Sequence, residues 1–121
     1  MAFLAIFINT CMRKKQTTRY TEEKLALDAR LMATLAELGI VTSNSDLSAQ
    51  MGRNTTYYAC MRRRGYSLHL GSLVFYAAKL TDEMAGSTCV RERAQLRSAV
   101  TAINETIQAK CRLREQELLA E

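Results

Sequence analysis

Residues 43–65 read SNSDLSAQMGRNTTYYACMRRRG, and the fold turns on this stretch. Ser43 with Asp46 three residues on forms a variant capping box. It predicts a short helix over about 44–51, with Leu47 and Met51 facing inward and Gly52 as its stop. Asn54 is a preferred cap for a second helix over about 55–64, which Gly65 ends. Tyr58 and Met61 fall on one face of that helix, and Thr55, Thr56 and Cys60 fall on or near the other. Two short helices separated by roughly three or four residues, with glycine in the turn, make a helix-turn-helix pattern. Small Ser48 lets the two helices approach.

Working outward, Thr21 followed by Glu22 and Glu23 offers a hydroxyl cap and then acids at the positive end of a helix dipole. A first helix is expected over roughly 22–38, with Leu25, Ala29, Met32, Leu35, Ala36 and Leu38 at near-helical spacing and Gly39 at its end. Downstream, Ser67 or His69 opens a helix that carries Leu70, Leu73, Val74, Ala77 and Leu80. Gly86, Ser87 and Thr88 form a loop into a last helix, from about 89 to the C-terminus, with a stripe of Leu96, Val100, Ile103, Ile107 and Cys111. That stripe either packs back on the domain or pairs with a second copy through a short coiled-coil seam. The expected architecture is all-α, a compact four- to five-helix domain containing a helix-turn-helix, with a long C-terminal helix. Residues 1–20 form an apolar and basic extension, 21–84 the helix-turn-helix domain, and 85–121 the terminal helix.

Composition agrees with this division. A chain of 121 residues, 48% hydrophobic and 24% charged, suits one folded domain with its own core. The absence of proline and the presence of only five glycines permit long helices and argue against a turn-rich all-β fold. The N-terminal run MAFLAIFINTC is too short to span a bilayer, which takes about 20 apolar residues. Its positive charges, Arg13, Lys14 and Lys15, follow the apolar run, whereas in a signal peptide they precede it. It reads either as an extension ahead of a natural start at Met12 or as a weak interfacial anchor.

Catalytic and metal chemistry find little support. The cysteines at 11, 60, 89 and 111 include no C-x-x-C pair, and His69 has no cysteine within eight residues. Reduced thiols, a cytoplasmic setting, and no metal or other cofactor are expected. Cys60 lies amid arginines and reads either as a small helix-face residue or as a redox-sensing thiol. No P-loop, G-x-G-x-x-G or H-E-x-x-H occurs, and no enzyme activity is expected.

Residues 22–84 resemble the λ-repressor/Cro-type helix-turn-helix superfamily, and more narrowly small uncharacterised proteobacterial proteins within it. The resemblance rests on Leu47, Ser48, Met51, Gly52, the cap Asn54, the pair Tyr58 and Met61, and the stripe Leu70, Leu73, Ala77 and Leu80. Two positions depart from the pattern. Arg53 stands where an aliphatic residue usually packs under the turn, and Tyr58 is larger than the usual Ile or Val. The resemblance implies a bacterial, cytoplasmic regulator of transcription, nucleoid-associated when bound, and a repressor or autoregulator by default. It further implies duplex DNA as partner and a homodimer on two-fold operators.

In this fold the start of the second helix enters the major groove. That assigns base reading to Thr55, Thr56, Tyr57 and Cys60. Phosphate contact falls to Arg53, Asn54, Arg62, Arg63 and Arg64. The charge pattern fits. Between Leu47 and Thr81 there are five basic residues (Arg53, Arg62, Arg63, Arg64 and Lys79) and no acid, whereas residues 81–121 carry seven acids against six bases. The net charge of +5 and the pI near 9.2 favour polyanionic partners. Two other functions stay open: a protein-interaction module on the same fold, and a membrane-surface adaptor acting through residues 1–15.

Overall fold

Before Gly39 the chain has neither proline nor glycine, so nothing local stops a helix there. In the computed structural model, which describes residues 2–120 and their side chains from Tyr20 onward, α1 runs Ala2–Glu37. Thr21 therefore lies inside a helix and does not start one, because a cap takes effect only where the preceding residues leave helical geometry. The readings of residues 1–15 concern side chains outside the described ones. Four more helices follow: α2 Asn44–Gln50, α3 Tyr57–Arg64, α4 Leu70–Gly86 and α5 Val90–Ala120. The fold is all-helical, with 80% of residues in five helices and the last one long.

Local chemistry sets the short elements. Ser43 caps α2, its Oγ accepting from the Asp46 N–H at 3.1 Å. The Asp46 carboxylate reaches one residue further back than a capping box requires and accepts from the Thr42 N–H at 2.9 Å. At Gly39, Gly52 and Gly65 the chain turns with φ near +75°. Each time the glycine and the residue after it donate backward into the helix just ended, as in Gly65 N to Arg62 O (3.1 Å) and Tyr66 N to Met61 O (2.8 Å).

The core collects Leu31 and Leu35 of α1, Val41, Leu47 and Met51 of α2 and its flanks, Tyr58 of α3, Leu68, and Leu73, Tyr76, Ala77 and Leu80 of α4. Leu96, Ala99 and Ile103 of α5 complete it. The inward residues of α2 are those expected, but three stripes are turned from the predicted phase. On α1 the buried row is Asp28, Leu31 and Leu35, while Ala29 and Ala36 are exposed. On α4, Leu70 and Val74 face solvent and Tyr76 is buried. On α5 the buried row is Leu96, Ala99, Ile103, Thr106 and Lys110, with Val100 and Ile107 half-buried and Cys111 exposed. Met61, expected as an anchor of α3, is only half-buried.

α5 packs along both α4 and α1, running antiparallel to α1. Two ion pairs tie α1 to α5: Lys24 with Glu117, and Asp28 with Lys110. The second pair is fully buried and also holds the chain entering α4. Asp28 Oδ2 accepts from the Leu68 N–H (2.9 Å) and the Ser67 hydroxyl (3.1 Å), and Lys110 Nζ donates to the Leu68 carbonyl (3.0 Å). Gln50 performs a similar service for α2. Its amide donates to the Ile40 carbonyl (2.8 Å), and its carbonyl accepts from the Tyr76 hydroxyl (2.7 Å).

Candidate nucleic-acid interface

Ser48 fixes how α2 meets α3. Its hydroxyl donates to the Asn44 carbonyl (2.9 Å) and accepts from the Tyr58 N–H (3.0 Å), so a side chain of one helix satisfies an orphan donor of the next. Its small size was legible in the sequence, but this hydrogen-bonding role was not. Tyr58 is buried in the core. Burial pushes its phenol pKa up, against the opposing effect of the Arg62 charge.

The turn between the helices holds its shape through Gly52 and Asn54. Gly52 adopts φ +74°, and a Cβ there would lie 2.9 Å from Phe75 Cε1. Asn54, expected as the cap of this helix, instead holds the turn ahead of it, and Thr56 takes the N-cap position without a side-chain cap bond. The Asn54 Oδ1 accepts from the Thr56 N–H and the Thr56 hydroxyl, each at 3.1 Å, and its carbonyl accepts from the Tyr57 N–H at 2.9 Å. The helix therefore begins at Tyr57, and Thr55 and Thr56 stand exposed in the turn ahead of it. The N–H groups of Thr56, Tyr57 and Tyr58 are all spent within the protein. Those three N–H groups are therefore not free to receive a phosphate.

The predicted site residues divide into two groups. Tyr57 is half-buried, and Arg53, itself exposed, is tied to its neighbours. The Tyr57 hydroxyl accepts from the His69 N–H (3.1 Å), its ring stacks on His69 with centroids 6.2 Å apart, and the Arg53 guanidinium lies 5.1 Å above it. Arg53 Nε also donates to the Ser72 hydroxyl (2.9 Å), a polar strap to α4. Cys60 is half-buried. Arg53, Asn54, Thr55, Thr56, Arg62, Arg63 and Arg64 are all exposed. Arg62 lies 5.8 Å from the Tyr58 ring centre. Among the described residues, no carboxylate pairs with Arg62, Arg63 or Arg64. Three unneutralised guanidinium groups in the last turn of α3 offer bidentate donors to phosphate oxygens.

Other chemistry is sparse. Cys60, Cys89 and Cys111 are free thiols. No group of three or more His, Cys, Asp or Glu side chains that could hold a metal occurs among the described residues. No described helix is long and apolar enough to cross a membrane. No family profile, curated protein or solved structure matches the chain.

Proposed function

We propose that the chain is a sequence-specific duplex-DNA-binding transcriptional regulator that approaches the major groove with the start of α3 and represses by occluding a promoter. The observation that carries this reading is the exposure of Thr55 and Thr56 just ahead of α3 and of Arg62, Arg63 and Arg64 in its last turn, the arginines without a carboxylate partner among the described residues and the stretch from Leu47 to Thr81 without an acid. The resemblance of residues 22–84 to the λ-repressor/Cro-type superfamily supports the same reading. Threonine hydroxyls and methyl groups contact base edges, and guanidinium groups contact phosphates irrespective of sequence. Tyr57, held by His69 and Arg53, becomes a supporting residue of the turn in this reading.

The test compares two variants on an operator selected from a random duplex pool. Thr56→Ala lowers affinity for the operator alone, by about 1–3 kcal/mol if it reads a base. Arg63→Ala weakens operator and random duplex alike and flattens the salt dependence by about one unit of slope. Equal effects of both variants on both DNAs would overturn the assignment of roles.

A further inference from the structure

The outer face of α4 carries large apolar side chains into solvent: Leu70, Val74 and Phe75 are 39%, 55% and 52% exposed. Gly71 and Ala78 lie on the same face, also exposed. The stripe Gly71, Phe75, Ala78 and Asp82 follows helical spacing, with Val74 beside it. By contrast, the apolar stripe of α5, the alternative seam for a dimer, is consumed within the chain, with Leu96, Ala99 and Ile103 buried in the core.

We propose that two copies of this chain pack through the outer face of α4, antiparallel across a two-fold axis. The charge pattern at the two ends of the face sets the antiparallel direction. Arg53 is strapped to the N-terminal part of α4 by its bond to Ser72 and has no carboxylate partner among the described residues. Asp82, two turns beyond Phe75, is exposed at the other end, equally without a cation partner among the described residues. An axis crossing α4 between Phe75 and Ala78 brings Gly71 of one copy to the level of Asp82 of the other, and Arg53 opposite that Asp82, twice over. A parallel pairing sets Arg53 against Arg53. The antiparallel register also places the small Ala78 of one copy against the Phe75 ring of the other, so the helices approach closely. Each copy thus supplies both halves of the contact, as an isologous interface demands.

The 17 residues of α4 give a seam about 25 Å long. One helix pair covers less than the roughly 800 Å² per partner of a standard stable interface. The dimer is therefore weak, with Kd on the order of tens of micromolar. This inference does not rest on DNA binding and is tested without DNA, so either proposal stands or fails alone.

Sedimentation equilibrium of the full chain, with reductant, from about 1 to 300 μM measures it. The expected result is a mass rising from monomer to dimer across that range. Val74→Glu holds the chain monomeric throughout, and Asp82→Arg weakens association at least tenfold. The exchanged pair Arg53→Glu/Asp82→Arg, which restores the opposite charges across the axis, recovers it. Circular dichroism confirms that each variant is folded. A monomer at every concentration overturns the proposal and leaves the face to a partner of another kind. A dimer that survives Val74→Glu places the interface elsewhere and overturns it equally.

Discussion

Replacing Lys110 with methionine removes one charge and leaves its buried partner behind. The Lys110 and Asp28 side chains are 3% and 2% exposed, and they join α5 to α1 and to the strap entering α4. Burial pushes the Lys110 ammonium pKa below the usual lysine range, and desolvation outweighs the attraction of Asp28. A buried pair of this kind is worth little against a well-packed apolar substitute. Breaking it from one side is costly, because an uncompensated carboxylate remains in the core. Lys110→Met is expected to cost about 3–5 kcal/mol, a large share of the roughly 5–15 kcal/mol of a whole domain. The melting temperature should fall by about 10–25 °C.

Asp28→Asn removes the stranded charge and keeps an oxygen to accept from the Leu68 N–H. The double variant Asp28→Asn/Lys110→Met is therefore expected to be more stable than Lys110→Met alone by about 2 kcal/mol or more. Urea unfolding followed by circular dichroism at neutral pH measures all four proteins of the cycle. A cost below about 1 kcal/mol for Lys110→Met, or additivity of the two changes within about 0.5 kcal/mol, refutes the reasoning.

Three further expectations concern the helix pair. Gly52→Ala forces an L side chain into φ +74° and drives its Cβ to 2.9 Å from the Phe75 ring, for a loss of about 1–3 kcal/mol in chemical unfolding. A loss under about 0.5 kcal/mol contradicts the tight approach of α4. Ser48→Ala leaves the buried Tyr58 N–H without its acceptor and should cost about 1–3 kcal/mol by the same assay, whereas a neutral outcome denies the link between α2 and α3. Asp46 is held below the usual carboxylate range, first by the Thr42 N–H and then by the Gln50 amide. A carboxyl with a depressed folded pKa lends stability that is full above its unfolded pKa and is lost as pH falls through the folded one. The gap between wild type and Asp46→Ala is therefore present at pH 6 and narrows below about pH 4; an unchanged gap at pH 2.5 refutes the assignment.

The elements legible in the sequence were those decided by local backbone chemistry. Ser43, Gly52 and Gly65 act where the pattern placed them, because caps and left-handed turns depend on a few neighbouring atoms. The phases of the long helices were not legible, for a specific reason. Asp28 and Lys110 occupy buried positions in α1 and α5, and each reads as a polar gap in an apolar stripe until its partner is known. Skipping Asp28 shifted the α1 stripe onto Ala29 and Ala36, since alanine suits either environment, and skipping Lys110 shifted the α5 stripe onto Cys111. At the candidate site, the exposed threonines and the arginine run were visible as residue types. Two facts about the site depend on tertiary contacts with His69 and Ser72 and were hidden: that Tyr57 belongs to the packing, and that Arg53 is strapped to α4.

Fluorescence anisotropy of the purified chain with random-sequence duplex DNA, titrated at several salt concentrations, tests the central claim most directly. If Arg62, Arg63 and Arg64 each hold a phosphate, log K falls against log salt with a slope of about −3 per bound chain, and changing all three to alanine brings the slope close to zero. A folded sample that fails to bind duplex at low salt contradicts the account, as does binding whose salt slope is unchanged when the three arginines are gone.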